Sequence, residues 1–454
     1  MNVFDAHKIY FLGIGGIGMS ALARYFHLQG KQVEGYDRVS SMVSKGLEDL
    51  GIRVFHEVDP ERIAKQEVVI YTPAIKVDNQ ERARAEKIGL PLYKRSQVLG
   101  QISRKYKTLA VAGTHGKTTS STMLTHVLRE GGLDVTAFLG GISLNLKSNF
   151  IMGKSDWLVV EADEYDRSFL SLHPEWSIIT SLDPDHLDIY GTEEEMKGSY
   201  RSFARQSSSV LVHEEIKAYD WQKEVESYGP ESDFRYENLR FQGLKTLFDF
   251  HCSKGSLLDI ALPMPGRHNV MNMSAALSIG VKLDLELAAL KRGVESFRGI
   301  YRRFEVQHHS ESLTFIDDYA HHPSELRAVI DTARKLFPER KLMVIFQPHL
   351  YSRTRDFLEG FAEELSQADL TFLLPIYPAR EEPIEGIESK AILDKMERGK
   401  GREIEKQDLL PALAASIQSP SVLLSLGAGD IDREVPRIKD WIKKKFTGDL
   451  SSIL

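Results

Sequence analysis

The sequence predicts an α/β protein of three domains, and three observations carry that reading. At 454 residues the chain has the length of about three ordinary domains, each able to bury its own core. Short apolar runs alternate with stretches of helical period along most of it. Two glycine-rich turns, at 13–18 and 112–119, each follow an apolar run and open a helical stretch, the place where parallel sheets bind phosphates.

In the first hundred residues Ile9 to Gly13, Val33 to Tyr36 and Val68 to Tyr71 read as strands of a βαβ series. The turn Gly13-Ile14-Gly15-Gly16-Ile17-Gly18 matches G-x-G-x-x-G, and Asp37 closes the second strand nineteen residues after Gly18. Such a turn indicates a diphosphate more reliably than a nicotinamide. The charged stretch Ser103 to Lys107 reads as a linker, which sets a first domain at 1–104. From there Thr108 to Val111, Trp157 to Glu161, Trp176 to Ser181 and Val210 to His213 are expected strands, with a helix around Glu193 to Arg205. Residues 233–262, with Leu247 to Phe250 and Leu257 to Leu262, are expected to add an antiparallel edge to that domain. An Ala/Ser-rich helix follows Pro265-Gly266, and Phe297-Arg298-Gly299-Ile300 suggests a second boundary, giving domains at 105–297 and 298–454. In the last domain Leu313 to Ile316, Leu342 to Phe346, Leu370 to Leu374 and Val422 to Ser425 repeat the pattern.

Bulk properties remove several function classes. A net charge of −7 with interspersed signs argues against a nucleic-acid surface. Cys252, the one cysteine, excludes an internal disulfide or a Cys-based zinc cluster and fits a reducing compartment. No basic leader opens the chain and no run approaches ~20 apolar residues. A cytoplasmic protein with no membrane insertion is the expectation.

The chemistry concentrates at expected strand ends. Ala112-Gly113-Thr114-His115-Gly116-Lys117-Thr118-Thr119 suits a nucleoside triphosphate, because Gly113 and Gly116 let backbone N–H groups face phosphate oxygens. Lys117 is expected to reach the β- and γ-phosphates and Thr118 a Mg²⁺ ion. The widespread form of this motif has glycine where Val111 stands. Glu161-Ala162-Asp163-Glu164-Tyr165-Asp166 carries four carboxylates, whose mutual repulsion calls for a cation; Glu161 is the first expected metal ligand. After the next strand His186 stands among Asp183, Asp185 and Asp188, placed to complete a second Mg²⁺ site or orient its ligands. His268 and Asn272 share a helical face with polar groups suited to an adenine edge, and Asn269 is either part of that set or a helix cap. In the last domain Arg, Asp and His gather at Tyr301 to Glu305, Asp317 to Pro323 and Phe346 to Thr354.

Taken in order, F-L-G-I-G-G-I-G-M-S at 11–20, A-G-T-H-G-K-T-T at 112–119, E-A-D-E at 161–164, D-H-L-D at 185–188, G-R-H-N-V at 266–270, R-R-F at 302–304, D-D-Y-A-H-H-P at 317–323 and F-Q-P-H at 346–349 resemble the Mur ligases. These are ATP-dependent amide-forming enzymes of bacterial cell-wall precursor synthesis, and the pattern is that of the branch that adds L-alanine. The resemblance implies a Rossmann-like N-terminal domain for a UDP-sugar, a central mixed-sheet ATPase domain with the phosphate loop, and a Rossmann-like C-terminal domain for the amino acid. It implies ATP and Mg²⁺ as cofactors, UDP-N-acetylmuramate and L-alanine as substrates, an acyl-phosphate intermediate, and a monomer or homodimer. By the same resemblance Lys117, Glu161 and His186 are catalytic, with Thr118, Glu161 and His186 on the metals. ATP would meet Gly113, Thr114, Gly116, Lys117, Thr118, Thr119, His268, Asn269, Asn272, Arg303 and Asp318. Gly13, Gly15, Gly16 and Gly18 would wrap the UDP diphosphate, Asp37 would approach the nucleoside, and His349 and Arg353 would grip the alanine carboxylate. Arg201 stands about where several relatives place a carbamylated lysine, so no carbamate is expected. Flexing near 104 and 298 is expected to close the domains.

Overall fold

The computed structural model describes residues 2–184, 187–379, 381–417 and 420–446. Contacts divide the chain into two compact units, Met1–Ile300 and Tyr301–Leu454.

The first unit opens with a five-stranded parallel sheet, ordered Arg53–Phe55, Gln32–Tyr36, Lys8–Leu12, Val68–Tyr71, Leu92–Lys94. Strand order reverses beside Lys8–Leu12, and the crevice at such a reversal lies where the first glycine turn leads into helix Ile17–Leu28. The strands are short apolar runs because both faces are covered: Ile9, Tyr10, Phe11 and Leu12 are all fully buried.

A seven-stranded sheet follows, ordered Glu226–Tyr228, Ser209–His213, Pro174–Ile179, Lys107–Ala112, Trp157–Glu161, Thr136–Ser143, Ser148–Ile151. Only its last pair is antiparallel. Strand Lys107–Ala112 is central, so the loop after it is flanked by the C-terminal ends of Trp157–Glu161 and Pro174–Ile179. Helix Glu193–Gln206 starts where Thr192 accepts from Glu195 N and Glu193, Glu194 and Glu195 face the positive end of the helix dipole.

The charged stretch near 104 is short. Helix Arg95–Ser103 runs almost into strand Lys107–Ala112, and Ser103 Oγ ties Gly100 O to His173 N. The first two sheets are joined by apolar contact: Tyr25 packs on Phe138 and Phe150 at ring separations of 5.6 and 6.2 Å.

Residues 235–262 depart from expectation. They add no edge to the seven-stranded sheet among the described residues, but form a separate antiparallel sheet of Arg235–Gln242, Lys245–Cys252 and Gly255–Leu262. Two-residue loops, at Gly243-Leu244 and Ser253-Lys254, fold each strand directly onto the one before it. Phe248, Phe250, Ile260 and Leu262 then bury their side chains in one core with Val270, Met273 and Leu277 of helix Arg267–Lys282.

The second unit is a six-stranded sheet, ordered Glu305–His309, Leu313–Asp318, Ser421–Leu426, Lys341–Phe346, Leu370–Leu373, Gly401–Glu403, antiparallel only in the first pair. Leu313, Phe315, Met343, Ile345, Phe372 and Leu423 fill its core. Among the described residues of the chain no helix is long and apolar enough to cross a membrane.

Candidate active site

The loop after Lys107–Ala112 is shaped by two glycines that no other residue replaces easily. Gly113 has φ +125°, and a Cβ there would overlap Thr180 Oγ1 and lie 2.8 and 2.9 Å from the backbone N atoms of Thr180 and Ser181. Gly116 has φ +79° and faces Asn272 Oδ1 across the space a Cβ would need. Neighbouring strand ends brace the loop: Thr114 Oγ1 donates to Asp183 O at 2.7 Å and His115 N to Ser181 Oγ at 3.0 Å. Helix Lys117–Glu130 begins at once, with Thr118 and Thr119 in its first turn.

Lys117 Nζ donates to Gly113 O (2.8 Å), Thr114 O (3.2 Å) and Glu164 Oε1 (2.7 Å). Glu164 is buried, which pushes its carboxyl above the usual range, and Lys117 pulls it back down. Tyr190 fixes the backbone here by donating its hydroxyl to Glu164 O at 2.6 Å.

Glu161 and Thr118 lie against the adjacent glycines Gly140 and Gly141. Glu161 Oε2 accepts from Gly140 N at 3.1 Å, and a Cβ on Gly140 would collide with that carboxylate. A Cβ on Gly141 would lie 2.9 Å from Thr118 Cγ2. Among the described residues no three His, Cys, Asp or Glu side chains cluster as a metal cage. One hydroxyl and one carboxylate still fit Mg²⁺, which ordinarily fills its shell with water and substrate phosphates. His186 lies outside the described residues.

Of the expected adenine-side residues, only Asn272 is at the loop, accepting from Ser120 Oγ at 3.1 Å. Asn269 Nδ2 donates to Pro265 O at 2.7 Å, a bond that secures the start of its own helix, and His268 is exposed beside Gly266. Arg201 is engaged elsewhere, by Tyr219 Oη at 2.9 Å and Asp220 at 3.8 Å.

At the first glycine turn, Gly15 N donates to Asp37 Oδ2 at 2.9 Å and Val39 N to Asp37 Oδ1 at 3.2 Å, so Asp37 closes the turn. Gly13, with φ +85°, abuts Thr72, and Gly16 N donates to Gly13 O. Gly18 lies under Arg95, whose Nη2 reaches Asp163 Oδ2 at 3.2 Å. Arg95 thus links the first glycine turn to the acidic strand end, and sequence reading missed it because nothing local marks a helix-opening arginine. The partnership of Glu164 with Lys117 was hidden for a different reason: four carboxylates in a row do not say which one turns inward.

In the second unit the double arginine splits. Arg302 is buried, donating Nε to Asp317 Oδ2 at 3.0 Å and Nη2 to Gly427 O at 2.5 Å. Burial raises the Asp317 carboxyl to about 6 against the pull of Arg302. Asp318 accepts from Phe304 N (2.6 Å) and Ala320 N (2.8 Å), while Arg303 stands 5.8 Å from the centre of the partly exposed Tyr319 ring. Past strand Lys341–Phe346, Leu350 at φ +73° turns the chain into helix Tyr351–Asp356 and sets Arg353 Nη1 on His349 Nδ1 at 3.2 Å. His349 stacks on Tyr377 with 17° between rings. Burial, Arg353 and His321 push its imidazole down to about 4, so it is neutral near pH 7. The carboxylates that act on Arg353 are engaged by other groups: Glu325 pairs with His321 at 3.3 Å and Glu381 accepts from Ser352 N at 2.9 Å.

Glycine-rich phosphate loop, acidic strand end and flanking doubly wound sheets define the class, a phosphate-loop α/β protein. Family models match all three parts: the Mur ligase family catalytic domain at 8–107, the Mur ligase middle domain at 111–280 and the Mur ligase glutamate ligase domain at 302–429. The chain belongs to the Mur ligase family. It is 42% identical to the UDP-N-acetylmuramate–L-alanine ligase of Flavobacterium johnsoniae over 98% of this chain and 100% of that one. The crystal structure of the UDP-N-acetylmuramate–alanine ligase of Thermotoga maritima superposes with a TM-score of 0.83 at 30% identity, covering 96% of this chain and 100% of that one. A murein peptide ligase of Psychrobacter arcticus shares the fold, with a TM-score of 0.71 at 22% identity over 96% and 98% of the two chains.

Proposed function

We propose that this chain joins L-alanine to the lactyl carboxylate of UDP-N-acetylmuramate at the expense of ATP, in cytoplasmic synthesis of peptidoglycan precursors. The observation that carries the reading is the convergence on one loop of the Lys117 ammonium and the glycine backbone, with Thr118 and Glu161 against adjacent glycines.

A carboxylate is a poor acyl donor, so the γ-phosphoryl group passes first to the lactyl carboxylate, giving an acyl phosphate and ADP. The amine of L-alanine then attacks the acyl carbon, and the tetrahedral intermediate expels phosphate and loses a proton to leave the amide. Two anions must approach, and Lys117 with the N–H groups of the 113–118 loop offsets the charge that develops. Thr118 and Glu161, with His186 for a second ion, would hold Mg²⁺, which when bound neutralises phosphate charge and polarises the transferring group. Asn272 steadies the loop through Ser120, His268 and Asn269 at the opening of the same helix are assigned to the adenine side, and Arg303 and Asp318 are assigned to ATP. Gly13, Gly15, Gly16 and Gly18 receive the UDP diphosphate, with Asp37 at the nucleoside. In the second unit Arg353 offers a planar fork to the alanine carboxylate, and neutral His349 adds a donor at Nε2 while it accepts from Arg353 at Nδ1.

The deciding assay supplies ATP, Mg²⁺ and UDP-N-acetylmuramate and measures phosphate release with L-alanine, with a preformed tripeptide and with no acceptor. Release with L-alanine alone is the expected result, and turnover with tripeptide alone refutes the assignment. Lys117→Ala is expected to abolish release while leaving UDP-sugar binding intact.

A further inference from the structure

We propose that Glu164 competes with nucleotide for Lys117, so that its carboxylate sets how strongly an anion must bind to seat itself in the loop. This rests on the reading of residues 112–119 as the ATP loop. An ammonium has three N–H donors, and those of Lys117 are accounted for by Gly113 O, Thr114 O and Glu164 Oε1. A phosphate oxygen can reach Lys117 only by displacing one of them. The two carbonyls belong to the loop that carries the lysine, whereas Glu164 is an anion on a different strand end and the natural one to yield.

Several features mark Glu164 off from the other carboxylates of its run. Its side chain is 2% exposed, against 39% for Asp163 and 42% for Asp166. Glu161 accepts from Gly140 N, Asp163 pairs with Arg95 and Asp166 with Lys94, so Glu164 alone of the four meets Lys117. Its Oε2 is buried without a hydrogen-bond partner among the described residues, an arrangement that would cost free energy if it served packing alone. Its backbone carbonyl is pinned by Tyr190 Oη at 2.6 Å and Arg167 N at 2.9 Å. Asp166 and Arg167 follow at φ +53° and +52°, conformations that persist only where the surroundings over-determine them. The backbone that presents the carboxylate to Lys117 is therefore fixed. A weakly charged anion meets a pair it cannot open, and a metal-bound triphosphate, with more charge to offer, can.

The test is calorimetric measurement of the dissociation constant for ATP with Mg²⁺ in four full-length proteins: wild type, Glu164→Gln, Lys117→Met and the double variant. Glu164→Gln keeps the shape and removes the charge, and tighter binding by about 10-fold is expected, as for loss of one competing charge-assisted hydrogen bond. The gain must vanish in the Lys117→Met background, a cancellation that a merely structural Glu164 would not produce. Glu164→Asp, which draws the charge back from Lys117, should shift affinity in the same direction, and UDP-N-acetylmuramate affinity should stay constant throughout as the check on folding. Unchanged or weaker ATP binding by Glu164→Gln overturns the proposal, as does a gain that survives without Lys117. If the wild-type chain binds no nucleotide, the ATP reading fails first and the competition falls with it.

Discussion

Gly113→Ala tests the geometry of the phosphate loop most directly. Two costs follow from the structure. The first is conformational: φ +125° is a region L-residues avoid, at roughly 1–2 kcal/mol. The second is steric, since the new methyl would press on Thr180 Oγ1 and on backbone N atoms at 2.8 and 2.9 Å, which cannot rotate away. Overpacking of that kind costs about 1–3 kcal/mol more, for a total of about 2–5 kcal/mol. Gly30→Ala is the internal control, because Gly30 has φ +78° and nothing within 4 Å of its absent Cβ, so only the conformational cost applies. Each kcal/mol moves the midpoint of a large domain by about 2–4 °C. Differential scanning calorimetry should therefore show Gly113→Ala melting several degrees below Gly30→Ala. Nucleotide affinity should fall only in Gly113→Ala. Equal melting shifts, or full nucleotide affinity in Gly113→Ala, would refute the claim that the loop is wedged against the Thr180 strand end.

Three further outcomes are expected. Glu161→Gln preserves the bond length to Gly140 N but removes the charge, so the Mg²⁺ concentration giving half-maximal phosphate release should rise at least about tenfold with UDP-sugar binding unaltered; an unchanged requirement would exclude Glu161 as a ligand. Asp317→Ala leaves the buried Arg302 guanidinium without its anion and should cost about 3–5 kcal/mol in urea unfolding of the second unit, whereas a cost below about 1 kcal/mol would show that the pair is solvated. His349 is neutral in the folded chain down to about pH 4 but would take up a proton near 6.5 when unfolded. Its contribution is thus intact above pH 6.5 and is lost by up to about 3 kcal/mol as pH falls toward 4. His349→Gln should flatten the stability profile between those values relative to wild type, and parallel profiles would contradict the depressed imidazole.

Several buried strands were legible from apolar runs alone, whereas Thr136–Ser143, Ser148–Ile151 and Glu305–His309, interrupted by glycine or polar residues, were not. Val68–Tyr71 and Trp157–Glu161 match the sequence reading residue for residue, because the middle of a strand buried on both faces is held to apolar residues. The phosphate loop was legible too, since glycine at 113 and 116 and lysine at 117 are local chemical requirements with fixed spacing. Pairing was not. Residues 235–262 showed β character, but whether they joined the large sheet or folded on themselves depended on two tight turns and on the apolar face of helix Arg267–Lys282.

Among the site residues the same division holds. The sequence by itself determined which chemistry is present: an ammonium beside glycine amides, carboxylates at a strand end, a guanidinium four residues after an imidazole. Only the tertiary structure decided which of these groups meet. It turned Glu164 rather than its neighbours onto Lys117, set Glu161 and Thr118 against the adjacent glycines Gly140 and Gly141, and laid Arg95 over Gly18. It also buried Arg302 on Asp317 while leaving Arg303 beside Tyr319. Residue type fixes charge and donor capacity along the chain, whereas burial and partnership arise from contacts between segments far apart in sequence.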